Sequence, residues 1–277
     1  MRDVLRDSSD ANDPGDDVTE PHFDTLTIFY PMWNEEETIR RAVAAACDAG
    51  DRLIAEGELA SYDILIIDDA STDDTGVIAD KMAGEDPRIR VVHHPVNRKL
   101  GGSLKTGFAE ATGDLILYTD ADLPFDMAEL SKAVRLLRIY DADIVSAYRF
   151  DHTGEGPRRL VYSYAYNHLI QTMFGLRLRD MNFSFKLCRR SVFDHIELKS
   201  EGSFIDVELL ARARRLGYEI VQFGVDYFPR SRGVSTLSSN AVIAQLVREM
   251  LELRNELESL TPLPLELRRP GTEPQEP

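Results

Sequence analysis

Cysteine, tryptophan, positive charge and long apolar runs are all scarce in this chain, and each scarcity removes a class of protein. The 277 residues include two cysteines, Cys47 and Cys188. They offer no disulfide framework, which fits a reducing, cytoplasmic setting. No apolar stretch approaches the roughly 20 residues that cross a bilayer. The chain opens Met-Arg-Asp with no apolar segment behind it, so no signal peptide is read. Lys and Arg total 32 against 48 Asp and Glu, a net charge of −16. Nucleic-acid binders carry a basic footprint, so no nucleic-acid partner is expected.

What is present is an acidic chain with 43% hydrophobic residues, enough for a packed core in one α/β domain. Some of the acid lies in residues 1–22, where Asp10, Asp13, Asp16, Asp17 and Glu20 mix with Pro14 and Gly15. That composition reads as a disordered tail. The rest is spread over the chain, as either a high-salt habitat or a simple need for solubility would produce.

From Phe23 the pattern is strand, helix, strand. Leu26–Tyr30 reads as a strand stopped by Pro31, and Asn34 as the cap of a helix over Glu35–Asp48, with Glu35, Glu36 and Glu37 in its first turn. Asp63–Asp68, Arg90–His93, Leu115–Thr119 and Asp143–Ala147 read as further strands, with helices between them. The alternation predicts an α/β fold, a central, mostly parallel sheet flanked by helices. Ligands bind beyond the carboxyl ends of such strands. The second half is less regular. A helix is expected over Arg159–Phe174, strands over Phe183–Cys188 and Glu219–Phe223, a helix over Phe204–Leu216 and a loop over Pro229–Ser235. The implied organisation is a tail (1–22), a domain (23–238), an amphipathic helix (239–260) and a loose Pro-rich end (261–277).

The acidic clusters fall at strand ends. Asp120-Ala121-Asp122 places two carboxylates one residue apart where a buried strand becomes a loop. Mg²⁺ or Mn²⁺ takes one or two carboxylates and completes its shell with phosphate oxygens. Asp69, of the Asp68-Asp69 pair, can accept hydrogen bonds from a base or ribose, although Ser71 or Thr72 capping the next helix would explain the segment equally well. Trp33 offers a flat face to a base, and Glu35 can hold a ribose hydroxyl. Leu100-Gly101-Gly102-Ser103 opens a helix, where amides attract anions, although a tight turn explains it as well. Arg149, Lys186, Arg230 and Arg232 are the cations to follow toward a diphosphate. Asp206 and Glu208, near a helix start, suit either a general base or a dipole-stabilising role. His93 and His94 have no partner at metal-ligand spacing and read as structural.

Together these segments resemble family 2 glycosyltransferases, and among them the dolichyl-phosphate mannose synthases and related polyprenyl-phosphate glycosyltransferases. The likeness runs from about Leu26 to Leu237. It rests on Pro31-Met32-Trp33-Asn34-Glu35, on Asp68-Asp69-Ala70-Ser71-Thr72-Asp73-Asp74-Thr75, on the glycine turn at Gly101-Gly102, on Ala111-Thr112-Gly113-Asp114, and on Asp120-Ala121-Asp122-Leu123. Ser146-Ala147-Tyr148-Arg149, Asp180 through Ser184-Phe185-Lys186, and Arg230-Ser231-Arg232-Gly233-Val234-Ser235 follow in the same order. Trp33 replaces the usual Tyr, Pro124 stands where some relatives have a polar metal ligand, and Thr236 where some have Lys. Processive members carry Q-x-x-R-W, which this chain lacks, since its one tryptophan is Trp33.

The resemblance implies a GT-A (Rossmann-like) fold. It implies that Pro31, Trp33, Glu35 and Asp69 hold the nucleotide and that Asp120 and Asp122 hold the metal diphosphate. Arg149 and Arg230, and less directly Lys186 and Arg232, would meet phosphates. The expected reaction is metal-dependent, inverting transfer of mannose or glucose from GDP-mannose or UDP-glucose to a polyprenyl (dolichyl-type) phosphate. Transfer to a sugar hydroxyl of a glycan or small acceptor, with Asp206 as base, and non-catalytic nucleotide-sugar binding are the other readings. A lipid acceptor would require the chain to visit the cytoplasmic membrane face or bind a membrane-anchored partner. The Ala241–Leu260 helix is glutamate-rich, which disfavours anionic lipid and favours packing on the sheet.

Overall fold

The computed structural model describes residues 22–150, 167–228 and 240–268. Residues 1–21 of the expected acidic tail (1–22), Tyr162, Tyr164, Tyr166 and the Pro229–Ser235 loop lie outside them. In chain order the elements are β1 (Phe23–Met32), α1 (Ile39–Ala55), β2 (Leu59–Asp68), α2 (Thr75–Glu85), β3 (Ile89–His93), α3 (Lys99–Glu110), β4 (Leu115–Thr119), α4 (Glu129–Ile139) and β5 (Ile144–Arg149). Residues 167–174 are helical (α5). Then come β6 (Phe185–Arg189), a 3₁₀ turn (Arg190–Asp194), α6 (Ile205–Leu216), β7 (Ile220–Val225), α7 (Asn240–Ser259) and α8 (Leu265–Arg268).

The strands form one sheet of order β3-β2-β1-β4-β6-β5-β7. Only β6 runs against its neighbours β4 and β5. Both faces are covered, so alternate residues of each central strand enter different cores. Leu26, Ile28, Tyr30 and Met32 of β1, with Ile64 and Ile66 of β2, pack under α1, α2 and α4. Phe29, Leu65, Ile67, Ile116 and Tyr118 pack under α3 and α6. Gly107 is where α3 comes closest to the sheet, since a Cβ there would lie 2.2 Å from the Phe29 ring.

Several boundaries differ from the sequence reading, for physical reasons. β1 does not stop at Pro31. Met32 O accepts from Asp69 N, so Met32 faces β2. Alternation then turns the Pro31 nitrogen toward β4, whose ladder has already ended at Phe29–Tyr118, and the missing N–H breaks nothing. α1 begins at Ile39 rather than Glu35 because Asn34, at φ 58°, spends its side chain on the β2–α2 loop instead of capping. α7 packs through Met250 and Leu257 against the α6 core rather than on the sheet itself. The end expected to be loose from Thr261 is docked as far as Arg268. Leu263 N donates to Leu216 O at 2.9 Å, and Arg268 Nη1 donates to the carbonyl of Gly217, the left-handed residue that ends α6.

Candidate active site

The parallel register of β1, β2 and β4 brings three acidic or aromatic segments to one edge of the sheet. Met32 pairs with Asp68, and Phe29 with Tyr118. The segment after β1 is sewn to the segment after β2. Asn34 Oδ1 accepts from Thr72 N at 2.8 Å, Asn34 N donates to Ser71 Oγ at 3.1 Å, and Glu35 N donates to Thr75 Oγ1 at 2.7 Å. Asp73 fixes the far side by accepting from Thr75 Oγ1 at 2.6 Å and from Glu36 N at 3.2 Å. This stitching leaves Trp33 53% exposed at the edge, with Pro31 and Glu35 half-buried beside it.

Asp68 and Asp69 are both buried, and each has a histidine from the end of β3. His93 Nδ1 lies 2.8 Å from Asp68 Oδ2 and its Nε2 3.0 Å from Asp80 Oδ1. His94 Nδ1 lies 2.7 Å from Asp69 Oδ1 and its Nε2 2.9 Å from Thr106 Oγ1. Burial opposes ionisation of Asp68, but hydrogen bonds from Ser71 and His93 outweigh it and hold the carboxyl below its usual range. Asp80, then Asp68, raise the His93 imidazole above its ordinary value. The sequence reading left both histidines without a role. The available signal was their position: a His-His pair closing the strand beside one that ends in Asp-Asp.

At the end of β4, Asp120 is half-exposed, Ala121 is buried, and both carboxylate oxygens of Asp122 are buried. Arg41 Nη2 of α1 reaches to 3.5 Å from Asp122 O. Among the described residues, no cluster of three or more His, Cys, Asp or Glu forms a self-contained metal cage. Two carboxylates on one turn fit a hard cation that draws its remaining oxygens from a substrate.

The cations are placed unequally. Arg149 is forked on Asp180, with Nε at 2.6 Å from Oδ2 and Nη2 at 2.9 Å from Oδ1, and its guanidinium lies over the Tyr227 ring. Lys186 sits inside the protein rather than on an open surface. It is fully buried, donates to Phe183 O, and lies 3.8 Å from Asp206 Oδ1. Its side chain follows a strand whose neighbours close over it, so it is an internal counter-charge. Burial pushes the Asp206 carboxyl up to about 6 against the pull of Lys186. Glu208 is separate, accepting from Lys199 N, Ser200 N and Arg212 Nε in the loop before α6 and in α6 itself. The glycine pair is no anion site. It lies inside α3, where Gly101 N already donates to Glu201 O and Gly102 N to Arg98 O. Gly101 has no room for a Cβ, which would lie 2.4 Å from Ser200 O. Arg230, Arg232 and Thr236 lie outside the described residues.

Against known proteins, residues 27–197 match the Glycosyl transferase family 2 pattern. The chain belongs to that family. It is 32% identical over 210 residues to the glycosyltransferase AglD of Haloferax volcanii, an alignment covering 74% of this chain and 33% of that longer protein. It is 30% identical to the undecaprenyl-phosphate mannosyltransferase of Micrococcus luteus, over 78% of this chain and 88% of that one. It is 29% identical to the polyprenol monophosphomannose synthase of Mycolicibacterium smegmatis, over 86% and 89%. The glucosyl-3-phosphoglycerate synthase of Mycobacterium tuberculosis, solved with Mn²⁺, UDP-glucose and phosphoglyceric acid, superposes with a TM-score of 0.63 at 22% identity, covering 83% of this chain and 80% of that one. The shared fold is GT-A.

Proposed function

We propose that this glycosyltransferase moves a hexose from a nucleotide-sugar to a polyprenyl phosphate. The observation that carries the sugar-donor half is the convergence of the Trp33–Glu35, Asp69 and Asp120–Asp122 segments at one sheet edge. In this reading Trp33 stacks on the base, Pro31 near the end of β1 borders the nucleotide, Glu35 and Asp69 accept hydrogen bonds from the nucleoside, and Asp120 and Asp122 face the diphosphate. Those two aspartates would hold Mg²⁺ or Mn²⁺, which when bound neutralises charge on the departing diphosphate. Arg149, with the Arg230 and Arg232 loop, would contribute further positive charge there. The acceptor half is supported by two relatives, the undecaprenyl-phosphate and polyprenol enzymes, which align over nearly their whole lengths. A phosphate oxygen is already ionised near neutrality and attacks the anomeric carbon directly, with inversion and without a general base.

One observation favours a second reading. Asp206 is a buried carboxyl raised to about 6, a value suited to taking a proton from a sugar hydroxyl. Asp206→Asn separates the two. With a phosphate acceptor its rate stays within a few-fold of the parent, and with a hydroxyl acceptor it falls by about 100-fold or more. Equal loss with a phosphate acceptor would sink the base-free route. No helix among the described residues is long and apolar enough to cross a membrane. In the lipid-phosphate reading the acceptor is met at a membrane surface or through a membrane-anchored partner.

A further inference from the structure

We infer that His94 is a positioning residue for the nucleotide: it locks Asp69 as an acceptor-only carboxylate through a closed ring of hydrogen bonds with Thr106 and Arg98. The inference rests on the proposed role of Asp69 in nucleotide binding. Asp69 is 3% exposed, and a carboxylate that deep needs partners. Among the described residues no Lys or Arg side chain meets it directly. Its Oδ1 takes the His94 Nδ1 at 2.7 Å and the Arg98 backbone N–H at 2.7 Å, and Asn97 Nδ2 donates to its backbone carbonyl at 3.2 Å.

The protons can be placed around the ring. An ionised Asp69 only accepts, so His94 Nδ1 carries a hydrogen. Arg98 Nη1 donates to Thr106 Oγ1 at 3.1 Å, and Thr106 Oγ1 lies 2.9 Å from His94 Nε2. The hydrogen on His94 Nδ1 is the one the Asp69 contact requires. The ring starts at the guanidinium of Arg98, passes through Thr106, His94 and Asp69, and returns to the backbone N–H of Arg98. His94 and the loop opening α3 thereby fix the Asp69 rotamer from behind. Both side-chain bonds fall on Oδ1, so Oδ2 takes no part in the ring. A carboxylate oxygen so fixed favours a ligand offering N–H or O–H, such as a ring N–H of a base or a ribose hydroxyl.

The test uses the full chain, with GDP and UDP as probes in calorimetry and the sugar-transfer rate measured alongside. His94→Phe breaks both imidazole bonds, and His94→Asn restores a donor at the Nδ1 position. Thr106→Val removes the hydroxyl that meets both His94 Nε2 and Arg98 Nη1 while leaving the His94–Asp69 contact in place, and it guards against misfolding of the histidine variants. The expected result is about tenfold weaker nucleotide binding and a matching rise in KM for His94→Phe, with kcat within about threefold. His94→Asn should recover most of the loss, and Thr106→Val should lie between. Unchanged nucleotide binding in His94→Phe and Thr106→Val, beside a clear loss in Asp69→Asn, would overturn the role of His94 alone. Unchanged binding in Asp69→Asn would overturn the nucleotide-site reading beneath it. A fall in kcat with constant KM, or no recovery in His94→Asn when both variants melt like the parent, would also overturn the inference.

Discussion

At the scale of single residues, charged groups at this sheet edge differ mainly in how they are held. Arg149 and Asp180 are each about one-tenth exposed and share a two-pronged contact. An arginine held this way is aimed rather than free to swing. Asp180→Asn breaks the two-pronged charged contact, and removing one partner of a buried pair costs about 3 kcal/mol. A urea titration should show that loss without a change in slope; an unchanged midpoint would mean that Asp180 contributes no fixed pair. Lys186 is the contrasting case. The residue type and its place after Ser184-Phe185 point toward phosphate, yet its burial was invisible in sequence. A strand's alternation does not say whether a lysine's side chain turns up to solvent or under a helix. Its buried ion-pair partner, Asp206, is twenty residues away in the chain.

At the scale of elements, the strands were legible because each central one is an apolar run, with β2 closing on Asp68 and β4 followed at once by Asp120. Their parallel course followed from the intervening helices. The reversal of β6 was not legible, because five residues between irregular segments carry no direction. The start of α1 was misread because Asn34 has the chemistry of a cap but uses it across the chain on Thr72. The pairing of His93 and His94 with Asp68 and Asp69 depends on β2–β3 register, with Asp68 opposite His93, and spacing alone does not give that. Two predictions belong here. Leu257, fully buried where α7 meets the α6 core, should cost about 2–4 kcal/mol as Leu257→Ala. A loss below about 0.5 kcal/mol in denaturant unfolding would show that α7 is not docked by that contact. The His93–Asp68 pair should make stability pH-dependent. His93 is raised in the fold, so its contribution is complete below the unfolded histidine value and fades as pH rises through the folded one. Asp68 is lowered, so its contribution is complete above the unfolded carboxyl value and fades as pH falls. The melting difference between parent and His93→Gln should therefore be widest between about pH 4 and about pH 6.5. A pH-independent difference would contradict the pairing.

At the scale of the whole molecule, the sheet order, the two covered faces and the family follow from one another. Strands β1, β2 and β4 carry the site at their carboxyl ends, and α3, α6 and the docked 261–268 segment brace the side that holds Asp206 and Lys186. The −16 charge makes a diphosphate an unfavourable guest unless positive charge is gathered locally. In the proposed reaction the Asp120–Asp122 turn would answer that need, its carboxylates holding a cation that in turn favours the phosphates. The most direct measurement is transfer of label from GDP-mannose and UDP-glucose into organic-extractable product. It would use a short polyprenyl phosphate and Mn²⁺ or Mg²⁺, with the parent chain and Asp122→Ala side by side. The expected result is lipid-phosphate-dependent label from one of the two sugar donors, abolished by chelator and reduced at least about 1,000-fold in Asp122→Ala. Label that persists in chelator and in the variant, or that appears only in water-soluble product, would contradict metal-assisted transfer to a lipid phosphate.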